Sequence, residues 1–135
     1  MSERVFIDTS AYYSFVDAND TNHAQAMATL ERFGQTGAEL YTTNFVVAET
    51  HALILNRLNR DAAERVLVLL YAGGFRVLRA TEGDETRART LIHHHRDKEY
   101  SLVDAISFVV MQRLHIHLAW SYDQHFASYG FILAS

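Results

Sequence analysis

Val5-Phe6-Ile7-Asp8-Thr9-Ser10-Ala11 is the stretch on which the fold turns. Three consecutive apolar residues end at a carboxylate, and two hydroxyl side chains follow. A strand with one wet face alternates apolar and polar residues, whereas an unbroken apolar run suits a strand covered on both faces. Further short strand candidates are Leu40-Tyr41-Thr42, Phe75 to Leu78, His117 to Trp120 and Phe131 to Leu133. Helical segments lie between them. Thr21 is read as the cap of a helix with Met27, Leu30 and Phe33 on its apolar face, ended by Gly34 and Gly37. Asn44 is read as the cap of an apolar helix running to about Leu58. Asp61 to Ala72 places Ala63, Val66, Leu67 and Leu70 on one face before the stop at Gly73-Gly74. Thr81 opens a helix through Leu91 and Ile92, and Ser101 another through Val110. Strands alternating with helices predict an α/β fold: a mainly parallel central sheet of about five strands with helices on both faces. Ligands of such sheets bind beyond the carboxyl ends of the strands.

The chain has 135 residues, which fits a single domain over 1–135 with one sizeable core. It contains no cysteine, so thiolate zinc sites, disulfides and a cysteine nucleophile are excluded. No apolar run reaches a membrane span, and Met1-Ser2-Glu3-Arg4 lacks the architecture of a signal peptide, so a cytoplasmic protein is expected. The net charge is −4, from 12 basic and 16 acidic residues, which is not the footprint of a duplex-binding protein. A nucleic-acid enzyme with a carboxylate pocket stays compatible with it. Eleven of the 12 basic residues are Arg and only Lys98 is Lys, a bias that genomic composition alone can produce.

Several acids stand where a fold gains little from them. Asp8 follows the first strand, and Asp123 follows the fourth in Ser121-Tyr122-Asp123. Either could simply cap the next helix. Glu49 lies within the helix after Asn44, and its neighbours three and four residues away are Phe45, Val46, Ala52 and Leu53. It therefore projects from a face expected to be buried, where it needs a partner, a cation or a proton. Asp104 fits a capping box in Ser101-x-x-Asp104, but so does Asp84 in Thr81-x-x-Asp84, which has no companion acids at strand ends. Four acids gathered on one sheet edge repel one another and are stable around a cation. Oxygen donors without thiolates suit Mg²⁺ or Mn²⁺. Without these four acids, 12 acidic and 12 basic residues would balance.

The sequence resembles the PIN-domain family, in particular the VapC-type toxins of toxin–antitoxin pairs, along the whole chain. Ile7-Asp8-Thr9-Ser10-Ala11 is similar to the family's opening strand and first acid, and Ala48-Glu49 to its helical glutamate. Ser101-Leu102-Val103-Asp104-Ala105 resembles the third acidic motif, and Ser121-Tyr122-Asp123-Gln124-His125-Phe126 the last. Ser121 stands where Thr is more usual and keeps the hydroxyl. The resemblance implies a ribonuclease in which Asp8, Glu49, Asp104 and Asp123 hold one or two Mg²⁺ or Mn²⁺ ions. Thr9, Ser10 and Ser121 would position phosphate, water or a liganding carboxylate. It further implies cleavage leaving 5′-phosphate and 3′-hydroxyl ends, a homodimer, and inhibition by a partner antitoxin protein. A catalytically silent PIN-like module that binds RNA or protein is the alternative, although such modules tend to lose the acids.

Other signals weigh less. Consecutive residues of a helix do not share a face, so His93, His94 and His95 read as a solvated helix end. His115 and His117 lack a third ligand for zinc. His125 beside Asp123 reads as a packed or solvent-facing side chain. Arg57, Arg60 and Arg65 are candidates for contact with RNA or antitoxin and equally for a solvated helix surface. An aspartyl phosphotransferase would need a second acid two residues after Asp8, where Ser10 stands. A nucleotide-binding module would need a glycine-rich phosphate loop, which the six glycines do not form.

Overall fold

The computed structural model describes residues 2–134. Their five strands form one sheet in the order β3-β2-β1-β4-β5, and every pairing is parallel. Along the chain the elements are β1 (Arg4–Ile7), α1 (Thr9–Val16), α2 (His23–Thr36), β2 (Glu39–Thr43), α3 (Asn44–Arg57), α4 (Arg60–Leu70), β3 (Arg76–Leu78), α5 (Glu82–His94), α6 (Leu102–Leu114), β4 (Leu118–Trp120), α7 (His125–Tyr129) and β5 (Ile132–Leu133). Val5, Phe6 and Ile7 are all fully buried. Successive side chains of a strand point to opposite faces, so β1 is covered on both, as its unbroken apolar run predicts. The edge strands differ: all of β5 is exposed and β3 is only partly buried, because each has one neighbour and little cover.

Strand order sets the place of the site. From β1 the sheet grows one way through β2 and β3, and the other way through β4 and β5. The crevice at that switch point lies past the carboxyl ends of β1 and β4. There Ile7 pairs with Trp120, and the backbone N–H of Asp8 donates to the Trp120 carbonyl at 3.1 Å. Asp8 and Ser121 therefore leave the sheet side by side. Beneath them Phe15 and Phe33 pack on the Trp120 ring, with centroids 6.1 and 5.6 Å away.

Most elements fall where periodicity puts them, with several corrections. Helix α2 begins at His23 with Asn22 at its cap, not Thr21, and no side chain caps it. Gly34 lies inside α2, and Gly37, at a φ of 71°, closes it. Thr43, not Asn44, caps α3, its hydroxyl accepting from the Val46 N–H at 3.2 Å. Asn44 instead accepts from the Ala80 N–H at 2.9 Å, tying α3 to the loop after β3. Two helices, α1 and α7, have no counterpart in the sequence reading. Helix α1 starts one residue after β1, too soon for a separate cap signal, and α7 has only five residues. His93 and His94 end α5 exposed to solvent, as expected; His95 departs from that expectation, half-buried with its ring nitrogen 2.8 Å from the Leu91 carbonyl and its ring beside Tyr100 and Tyr129.

Candidate active site

A cleft of about 520 Å³ opens at the switch point. Asp8, Glu49, Asp104 and Asp123 all line it, as do Thr9 and Ser10. Ser121 does not reach the wall. It is buried behind Asp8 and supports it from below. The chain thus brings together four acids that are 115 residues apart at their extremes, from the end of β1, α3, α6 and the turn after β4.

Asp8 occupies the N-cap position of α1, yet its side chain makes no cap hydrogen bond. Two hydroxyls converge on its Oδ2 instead, Ser121 Oγ at 3.0 Å and Ser10 Oγ at 3.1 Å. Ser10 Oγ also accepts from the Tyr122 N–H at 2.9 Å, and Ser121 Oγ from the Asp123 N–H at 3.0 Å. The serines thereby lock β1 to the turn carrying the last acid. Burial pushes the Asp8 carboxyl up from 3.8 to about 6. The hydroxyl donors and the Thr9 backbone pull it down and the field of Asp104 adds to the rise, but burial dominates. This carboxylate is short of positive charge.

Glu49 is half-buried at the cleft wall, not enclosed as its apolar neighbours predict. Of those neighbours Ala52 is exposed and Phe45 and Leu53 are half-buried, so this face of α3 borders an opening. Glu49 has no ion pair among the described residues. Its Oε1 accepts from Thr9 Oγ1 at 2.6 Å, and Thr50 Oγ1 donates in turn to Thr9 at 3.4 Å. The two threonines orient the carboxylate without neutralising it.

Asp104 completes its capping box, its Oδ2 accepting from the Ser101 N–H at 3.1 Å while its own N–H donates to Ser101 Oγ at 3.0 Å. The same Oδ2 lies 2.9 Å from His125 Nδ1. Asp84 builds the same box on α5, and there both oxygens are taken by Arg113, at 2.9 and 2.8 Å. Burial acts to raise the Asp84 carboxyl, but the Arg113 and Thr81 hydrogen bonds outweigh it and hold it below its ordinary value. One box is closed by an arginine; the other opens on the cleft.

Asp123 accepts from the His125 N–H at 2.8 Å through Oδ1, and so supports the start of α7, as a capping acid would. That oxygen also lies 3.4 Å from His125 Nδ1. His125 therefore bridges two of the acids, a placement its sequence context did not signal. Burial works against its charged form, but the hydrogen bond to Asp104 and the charges of Asp123, Asp104 and Asp8 raise its pKa overall. Ligand atoms of Asp104, Asp123 and His125 all lie within 4.8 Å of one another, close enough to share one ion. The donors are hard oxygens with one imidazole, and the most buried acid lacks counter-charge. That set fits a divalent cation.

The PIN domain model matches residues 5–132. The chain belongs to the PIN-domain family. It is 30% identical over 128 residues to the 23S rRNA-specific endonuclease VapC20 of Mycobacterium tuberculosis, covering 95% of each chain. The crystal structure of that protein, described as a Sarcin-Ricin loop cleaving toxin, superposes with a TM-score of 0.86 over 95% of this chain and 96% of the other. Ribonuclease VapC26 of the same organism is 26% identical over 125 residues, 92% of this chain and 90% of its own. The structure of VapBC2 from Rickettsia felis bound to a promoter DNA fragment shares the fold alone, at 10% identity and a TM-score of 0.72 over 97% of both chains. The expected PIN-like α/β fold with a parallel sheet is thus the one observed.

At the far end of the cleft stand Arg57, one of the three arginines named from the sequence, eight residues after Glu49 on α3, and Tyr13, four residues after Thr9 on α1. The sequence reading missed Tyr13; the helical stride of three to four residues could have found it once α1 was recognised.

Proposed function

We propose that this PIN-domain protein is a Mg²⁺- or Mn²⁺-dependent endoribonuclease acting as the toxin of a VapBC-type toxin–antitoxin pair. The observation that carries this reading is the convergence of Asp8, Glu49, Asp104 and Asp123 on one cleft, with the most buried of them short of counter-charge. Asp8, Glu49, Asp104 and Asp123 would hold one or two ions, with His125 within reach of the one shared by Asp104 and Asp123. A divalent ion bound there supplies an activated water at neutral pH and charge stabilisation on the phosphodiester. The protein's part is orientation. Thr9 aims Glu49, Ser10 and Ser121 aim Asp8, and Ser121 also fixes the turn that carries Asp123. His125 bridges Asp104 and Asp123 through Nδ1, and the two carboxylates favour its protonated form. None of these groups need act as a nucleophile.

RNA is the substrate class, by the names of the two curated relatives. The 23S rRNA and its sarcin–ricin loop are the first targets to assay, since VapC20 is named for them. A cognate antitoxin is the proposed protein partner, and a homodimer the proposed assembly, which sedimentation of the purified chain would read. The cytoplasm is the proposed site of action; no described helix is long and apolar enough to cross a membrane. The deciding experiment incubates the purified chain with 23S rRNA and a small-RNA pool in Mn²⁺, in Mg²⁺ and in chelator, beside Asp8→Asn and Asp104→Asn. Discrete metal-dependent products, lost in both variants, support the nuclease. Products that survive both substitutions refute this site.

A further inference from the structure

Six carboxylates line the cleft, those of Asp8, Asp20, Glu49, Glu99, Asp104 and Asp123, and an RNA backbone entering it meets like charge. Among the described lining residues, Arg57 is the one arginine or lysine. It stands in the last turn of α3, on the same stripe as Glu49 and Leu53 at steps of four residues. Although it shares the cleft with six carboxylates, Arg57 makes no ion pair among the described residues. Its guanidinium lies over the Tyr13 ring, 5.3 Å from the centroid. Tyr13 is itself anchored, its hydroxyl donating to Asp17 Oδ2 at 2.6 Å. A guanidinium held against a fixed ring gives up little freedom on binding, and its five N–H groups outnumber the one contact it makes with Tyr13. The other two candidate arginines are placed differently. Arg60 pairs with Glu64 at 3.3 Å on the exposed face of α4, and Arg65 lines a separate groove.

We propose that Arg57, held on Tyr13, is a binding residue for an RNA backbone phosphate that flanks the scissile one. The inference rests on the ribonuclease reading above. Eight residues of α3 separate Arg57 from Glu49, about 12 Å along the helix axis. With its guanidinium over Tyr13, one helical turn beyond the Thr9 that holds Glu49, Arg57 would take a phosphate next to the one at the acids. The contact gives the strand a second fixed point, which sets its register across the metal site and offsets the repulsion of the acids. Tyr13 is the positioning residue of the pair.

The test compares wild type with Arg57→Gln, Arg57→Lys, Tyr13→Leu and, as control, Arg60→Gln. Binding is read by fluorescence anisotropy on a fluorescein-labelled oligouridylate with Ca²⁺ as the divalent ion, across a salt series, with RNA integrity checked on gels. Cleavage of 23S rRNA in Mn²⁺ supplies kcat and KM. Arg57→Gln is expected to weaken binding about tenfold. It should flatten the slope of log K against log salt by about 0.7, the value for one single-strand phosphate. The cleavage defect should appear in KM. Arg57→Lys should restore the slope but only part of the affinity, because its charge is kept and its fork is lost. Tyr13→Leu should weaken binding with the slope retained, and Arg60→Gln should match wild type. Wild-type affinity and slope in Arg57→Gln, or an equal loss in Arg60→Gln, overturns the assignment. A wild-type chain that binds and cleaves RNA while Arg57→Gln is unchanged refutes Arg57 alone, whereas one that does neither refutes the ribonuclease reading with it.

Discussion

Replacing Asp8 by Asn should stabilise the metal-free protein while abolishing its cleavage activity. The carboxyl is pushed from 3.8 to about 6 by burial, so the folded state holds its proton more tightly than the unfolded chain. For an acid shifted upward, no cost exists below the unfolded value, and the cost grows as pH rises through the folded one. Each pH unit of displacement is worth about 1.4 kcal/mol, so the ionised Asp8 costs the fold about 3 kcal/mol at neutral pH. About half that cost remains near pH 5 and little near pH 4. Asn keeps the size of the side chain and an oxygen for the Ser10 and Ser121 hydroxyls, but it carries no charge. In chelator, urea unfolding near pH 7.5 should show Asp8→Asn about 3 kcal/mol more stable than wild type, with the two curves meeting as pH falls toward 4. Adding Mg²⁺ or Mn²⁺ should raise wild type and leave the variant nearly unmoved, closing the gap by mass action. Asp8→Asn less stable than wild type at neutral pH in chelator would refute the claim that Asp8 lacks counter-charge. Equal stabilisation of both proteins by metal would refute its role as a ligand.

Thr9→Ala and Ser121→Ala remove hydroxyls that orient Glu49 and Asp8, so each should lower Mn²⁺ affinity by about 10–100-fold in isothermal titration while the fold persists. Arg113→Met leaves the fully buried Asp84 side chain without its bidentate partner and should cost about 3 kcal/mol in urea unfolding, with cleavage per folded molecule retained. Ser101→Ala deletes the acceptor for the Asp104 N–H and should cost about 1 kcal/mol, as should Thr81→Ala in the matching box on α5. Only the first of these two should also weaken metal binding, and titration of both variants would show it.

Strand content was legible because burial on both faces writes itself as an apolar run, as in Val5-Phe6-Ile7. Helix ends were less so. Thr43 and Asn44 are both good caps, and which one serves depends on Ala80, a neighbour 36 residues away that claims the Asn44 side chain. Glu49 was legible as an acid out of place, but its exposure was not. The apolar neighbours on α3 border an opening lined on another side by α1, an element the sequence reading did not contain. His125 was visible beside Asp123 and still undervalued. Its contact with Asp104, 21 residues earlier, arises only when α6 and α7 meet at the cleft.

The two capping boxes show what local sequence can and cannot say about chemistry. Thr81-x-x-Asp84 and Ser101-x-x-Asp104 form the same four-residue motif with the same pair of reciprocal hydrogen bonds. Each acid satisfies a helix start, so capping explains both equally well and distinguishes neither. What separates them is the next neighbour in space. Arg113 stands in the last turn of α6 and reaches Asp84 across the α5–α6 contact through Nε and Nη2, which takes up both carboxylate oxygens. Asp104 lies at the other end of that same helix, where the sheet switches direction and its companions are carboxylates and one imidazole. A buried acid paired at both oxygens is a structural group; one that faces other acids across a cleft keeps an oxygen for a cation. Helix α6 thus carries both cases, and the direction in which the sheet propagates from β1 decides which end becomes the site.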